Sequence, residues 1–208
     1  NFLNNKFILD TSANYIIQND KNMVSQGQYF NPLTSLYLFP RGEDFSDVAV
    51  YERYDDLSGV NTQYWPYGDL GGVSSQNPYW IMNRMNREND RRRYKLAASL
   101  QYNIIEGLNV QGRVSIDNTE SKYTEKFHAG TVGNFAGPKG RYKEENRLDR
   151  QVYADVLANF NKTFNEFNVT ANLGASIKDL RMELTSLHGD LNNVTNHFTI
   201  ENLTRSGY

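Results

Sequence analysis

The stretch Arg93-Tyr94-Lys95-Leu96-Ala97-Ala98-Ser99-Leu100-Gln101-Tyr102-Asn103-Ile104 alternates without a slip. Its even positions, Tyr94, Leu96, Ala98, Leu100, Tyr102 and Ile104, are apolar or aromatic, while most odd ones are polar. Successive side chains of a strand point to opposite faces, so this period of two predicts a strand between two different solvents. Ile105-Glu106-Gly107 follows as a tight turn, with glycine supplying a positive φ. Beyond it Leu108, Val110, Gly112, Val114 and Ile116 alternate with Asn109, Gln111, Arg113, Ser115 and Asp117. The two segments read as a hairpin with one apolar and one polar face.

Working outward, the same pattern recurs three times. It predicts strands over about 4–18, 92–105, 108–118, 147–160 and 167–178, with long loops over 19–90, 119–146 and 179–208. A short helix is expected around Asp44–Glu52. Short turns fall at one end of the strands and long loops at the other, the sorting found in outer-membrane barrels. Tyr94 to Ile104 spans roughly 35 Å at ~3.3 Å per residue. Tilted by about 45°, it covers the ~25 Å apolar band of such a barrel, with Tyr94 and Tyr102 near its aromatic girdles. Arg150, the one charge in an apolar row, falls at the outer rim, where a charge costs little. The expected fold is therefore all-β: antiparallel up-and-down strands forming part of a large transmembrane β-barrel with long extracellular loops. A soluble antiparallel sheet packed on a core is the competing architecture.

Composition narrows the function classes. The 208 residues carry a net charge of −2, which argues against a nucleic-acid-coating protein, and no cysteine, which excludes thiolate chemistry. A mean hydropathy of −0.69 does not conflict with a barrel, because half of each barrel strand points into a polar lumen. With 14 Tyr, 11 Phe and 2 Trp the chain leans to β-structure. It begins at Asn1 and ends on Arg205-Ser206-Gly207-Tyr208, and five strands are fewer than the about eight a membrane barrel needs. The barrel reading thus expects this chain to be a portion of a longer protein.

The long segment 19–90 carries Asn31-Pro32-Leu33, Phe39-Pro40-Arg41-Gly42 and Asn77-Pro78-Tyr79-Trp80, then a strand opening on Arg91-Arg92-Arg93 and a hairpin through Leu108–Arg113. In that order, and over residues 1 to about 180, the chain resembles the SusC/RagA family of TonB-linked (TonB-dependent) outer-membrane transporters. The resemblance implies a barrel of about 22 strands, an N-terminal plug, a TonB box and a SusD-like surface lipoprotein that lids the barrel. It implies import of oligosaccharides or peptides across the cell outer membrane. Coupling to the TonB complex would run through parts of the protein outside these residues. No enzyme activity, cofactor or metal is expected, and the partners would be the lipoprotein, the substrate and outer-membrane lipid. The alternative is a soluble or surface-exposed β-domain that binds carbohydrate or protein.

No catalytic set stands out. His128, His188 and His197 are scattered over predicted loops without a carboxylate or serine at motif spacing, and read as solvated or structural. Glu43, Asp44 and Asp47 read as the acidic start of a helix rather than a calcium loop. The Gly130–Gly140 stretch reads as a turn-rich loop tip. The aromatic group Tyr64, Trp65, Tyr67, Tyr79 and Trp80 is the candidate ligand- or partner-binding set, because flat rings stack on sugar C–H faces or grip peptides. The same rings could instead fold the loop, with Trp80, next to the strand start, the more structural of the two tryptophans.

Overall fold

The computed structural model describes residues 6–24, 27, 29–67 and 76–204. Five long strands form one sheet in the order β1 (Phe7–Lys21), β4 (Met85–Ile105), β5 (Leu108–Phe127), β6 (Arg141–Phe164) and β7 (Phe167–Asp190). A separate hairpin joins β2 (Glu52–Asp55) to β3 (Val60–Gln63). Helix α1 (Pro32–Tyr37), helix α2 (Pro78–Arg84) and 3-10 turns at Phe45–Ala49 and Ile200–Asn202 complete the described residues. The chain is mostly antiparallel β, up-and-down in the five-stranded sheet. Asn4 and Asn5, the expected first residues of the first strand, lie outside the described residues, as do Asn1 and Arg205–Tyr208.

Contacts divide the chain into two compact units, one of residues 1–18, 91–121 and 147–184, the other of 19–90, 122–146 and 185–208. In the first unit the register is fixed by backbone bonds from Asn103 N to Lys6 O and from Asn161 N to Gly107 O. The Arg91 guanidinium reaches Ser121 Oγ, and Gly174 lies against Leu157. Gly107 sits at φ +83° with its Cα side pressed on the Asn161 carbonyl, so a Cβ there would collide with backbone.

In this register the apolar rows coincide on one face. Phe7 stacks on Tyr102 with ring centroids 4.5 Å apart. Across the other face Arg113 pairs with Asp155 at 2.9 Å, Arg93 with Asp117, and Asn159 with Asn109. The apolar face is not a core. Leu9, Tyr15, Ile17, Leu96, Leu100, Tyr102, Val114, Val156, Leu173 and Ile177 are exposed by 37 to 79%.

Each row ends abruptly. The first charged or amide side chain following the apolar run is Asn19 in β1, Arg92 in β4, Asn118 in β5, Arg150 in β6 and Asp179 in β7. Measured against hydrogen-bonded neighbours, these positions step by about six residues across the four strand pairs, roughly 20 Å of rise over roughly 19 Å of sheet. The boundary therefore crosses the strands at about 45°, the tilt of strands in a membrane barrel.

The strands run well past their expected ends. Residues 85–90, 119–127, 141–146 and 179–190, all expected in loops, are strand. Past the boundary β4, β5 and β6 carry mostly polar side chains on both faces, so alternation gives little hydrophobic signal there, whereas in β7 Leu180, Met182 and Leu184 carry the alternation on over the opposite face. Cross-strand ion pairs hold these extensions instead: Lys126–Glu88 at 2.9 Å and Lys122–Glu144 at 3.3 Å. The loops shrink accordingly. The connection from β5 to β6 is only 128–140, and β6 turns to β7 on Asn165-Glu166, shorter than the Asn161–Glu166 link expected. The expected helix around Asp44–Glu52 is a 3-10 turn over Phe45–Ala49, capped by Asp44 Oδ1 accepting from Ser46 N at 2.9 Å.

The second unit has a small closed core. Trp80, Ile81, Met85, Phe127 and Ala136 are buried together, with Phe30, Tyr51 and Phe135 packed against them. These residues come from four distant segments, so the core closes only when helix α2, the end of β5 and the 128–140 connection meet.

Candidate functional site

The string Gln76-Asn77-Pro78-Tyr79-Trp80 is the hub of the second unit. Pro78 opens helix α2, where a missing N–H costs nothing, and Asn77 caps it by accepting from Tyr79 N at 2.8 Å. The Asn77 amide also donates to Val48 O and Tyr64 O at 2.9 and 3.1 Å, while its backbone N donates to Gln63 Oε1 at 2.7 Å. Gln76 N donates to Ser35 Oγ, and its amide donates to Tyr29 O at 2.8 Å. Both residues are 1% exposed, so each bond replaces water at a buried group and none is dispensable. Four stretches of the 19–90 segment are tied to one point.

The five rings singled out from the sequence do not form one platform. Trp80 is fully buried, its indole N–H donating to Thr131 Oγ1 at 3.1 Å. Tyr79 stacks on Tyr51, and the Arg53 guanidinium lies 3.3 Å from the centroid of the Tyr64 ring. Trp65 and Tyr67 meet edge to face at 5.4 Å and share Phe39, which also meets Phe45. Trp65 and Tyr67, with Phe39 and Phe45, form a partly exposed ring cluster.

A second feature was not visible in the sequence. A cleft of about 310 Å³ lies beside the β2–β3 hairpin, lined by Tyr54, Gly59, Asn61, Arg84, His128 and Asn196, among others. Arg84 grips Glu52 with two bonds, Nε to Oε2 at 2.8 Å and Nη2 to Oε1 at 2.9 Å. That pairing holds the Glu52 carboxyl below its usual range. Burial, and then the Arg84 charge, push His128 down to about 4, so its imidazole is neutral at physiological pH. The ring packs edge to face on Phe198 at 5.0 Å. Gly130, at φ +85°, brings the 128–140 connection against the Asn61 and Thr62 backbone, where a Cβ would collide, and Gln63 N donates to Gly130 O. The stretch expected to be a free loop tip is thus packed against the hairpin. Glu52 and Arg84 lie 32 positions apart in unrelated segments. No local signal could have joined them.

On the polar face of the first unit, Lys95, Ser99, Arg113, Ser115 and Tyr153 border an open groove of about 450 Å³. Arg113 is engaged by Asp155 and Arg93 by Asp117, so the polar rows are already laced together. No family model matches the chain, and no curated protein matches it.

Proposed function

We propose that this chain is wall and outer-loop structure of a TonB-dependent outer-membrane transporter of the SusC/RagA type, importing oligosaccharides or peptides beneath a SusD-like lipoprotein lid. The observation that carries the membrane part is the uncovered apolar face, ended on all five strands by a boundary inclined at about 45° to them. A soluble sheet buries its apolar face on a core and has no need of a sloping limit shared by every strand. A barrel wall needs both, because tilted strands enter and leave the hydrocarbon at staggered residues.

The transport part is supported by the family resemblance and by the alternation of long and short connections along the chain. The exposed Phe39–Phe45–Trp65–Tyr67 rings suit docking of a lid or ligand, since aromatic residues are enriched at interfaces. The proposed partners are the lipoprotein, the TonB complex through other parts of the protein, the substrate and outer-membrane lipid.

The chain has no cysteine, so single cysteines can report their surroundings. In the full-length protein, Leu96→Cys, Leu100→Cys and Val114→Cys should react from the lipid phase only. Ser99→Cys and Gln101→Cys should react with a water-soluble maleimide. Equal aqueous labelling of both rows returns the sheet to a soluble domain. Co-purification with a surface lipoprotein tests the lid.

A further inference from the structure

The cleft beside the β2–β3 hairpin carries chemistry that the wall-and-loop reading does not use. At about 310 Å³ it is near the small end of ligand pockets, suited to a single substituted ring rather than an extended chain. The one formally charged residue in its lining, Arg84, is paired with Glu52 and so neutralised. The other polar groups are neutral. His128 offers one donor and one acceptor. The Asn196 amide oxygen is taken by Ala129 N at 2.7 Å, which leaves its NH2 as a donor group, and Asn196 is held at φ +57°, a conformation that needs support from its surroundings. Asn61 reaches Glu52 only at 3.4 Å. Tyr54, 65% exposed, stands at the rim over Gly59, where no side chain blocks its ring.

Phosphates and carboxylates only accept, and ammonium groups only donate; each also needs a counter-charge, and the cleft's one charge, Arg84, is already spent on Glu52. A hydroxyl both donates and accepts, which matches the mixed neutral lining. We propose that the cleft binds one residue of a neutral sugar, with its C–H face on Tyr54 and its hydroxyls on His128, Asn61 and Asn196. This deepens the uptake reading and rests on it for the arrival of an oligosaccharide at this cleft.

The test is saturation-transfer NMR on the full-length protein in detergent micelles, with methyl glucoside, N-acetylglucosamine and glucuronate as probes. The two neutral sugars should receive saturation and glucuronate should receive little. Tyr54→Ala and His128→Leu should each weaken the neutral-sugar signal about fivefold, as expected for losing a stacking surface or one to two hydrogen bonds. Tyr54 is an exposed rim residue, so its variant leaves the buried hydrogen-bond network in place. Absence of saturation with both neutral sugars, an unchanged signal in Tyr54→Ala, or a stronger signal from glucuronate would each overturn the site. Such a failure in a protein that passes the cysteine labelling removes the sugar cleft and leaves the membrane reading standing.

Discussion

Between Leu96 and Val114 the protein leaves large apolar side chains such as Leu96, Leu100, Tyr102 and Val114 exposed along one face, whereas around Trp80 it gathers them into a buried core. Both regions are rich in apolar residues; they differ in what those residues are built to meet. The core around Trp80 obeys the ordinary rule for a chain in water, with a polar N–H satisfied inside and apolar atoms shared among distant segments. The sheet reverses it: its charges face one another across a polar surface while its leucines and valines face out. One chain thus contains both a closed apolar core and an apolar face left without a cover.

The sharpest way to break that contrast is to damage each region by its own rule. Trp80→Ala should cost about 3–5 kcal/mol in the second unit, as for large-to-small changes in a closed core. Hydrogen exchange or limited proteolysis of the full-length protein would then show residues 29–67 and 128–140 opening while the sheet stays protected. Loss of the assembled sheet in this variant would mean the two regions are not separable.

Leu100→Arg comes next, at about 2–4 kcal/mol if the residue meets mid-membrane hydrocarbon. Gln101→Arg, one residue along and on the other face, should assemble normally. Outer-membrane assembly assays on the whole protein compare the two, and equal tolerance would place both faces in water. Asn77→Ala should cost about 1–2 kcal/mol through the lost helix cap, with its buried Val48 and Tyr64 carbonyl partners left short of a donor. Thermal unfolding followed by Trp fluorescence would register it.

A smaller effect is set by pH. His128 is held well below its unfolded value, so the unfolded chain binds more protons than the folded one between pH 6.5 and about 4. Stability of the second unit should therefore be full above about pH 6.5 and decline as the pH falls toward 4. His128→Gln should flatten that part of the profile. The smallest effect on folding is expected from Trp65→Ala, which trims a half-exposed ring; assembly should persist while lid docking or uptake weakens. Unchanged docking and uptake would take the Phe39–Tyr67 cluster out of recognition.

The strands of the first unit were legible because their side chains alternate between an apolar and a polar face. Tyr94 through Ile104 announces its own conformation for that reason alone. The signal fades beyond Asn118, where both faces carry mostly polar side chains, and beyond Asp179 it moves to Leu180, Met182 and Leu184 on the other face; the strands continue on pairings such as Glu88 with Lys126 that no single segment reveals. The site is less legible still. Trp80 and Trp65 look alike in sequence, yet one caps a core with Thr131 and the other sits in a half-exposed cluster with Phe39. His128 appears as an isolated loop residue until the fold sets it beside Arg84 and Glu52. Aromatic density points to the right segment without separating structural rings from presented ones.

The staggered boundary along the strands also has a genetic reading. Removing two residues from one strand below the boundary lowers that strand's girdle by a single pleat and keeps every side chain on its own face. Removing one residue turns the remainder of the row inside out, placing Lys95- and Arg113-type charges on the apolar face. Insertions and deletions below Asn118 and Asp179 should thus survive in even counts. Parity, rather than length, is what the two-faced part of the sheet requires.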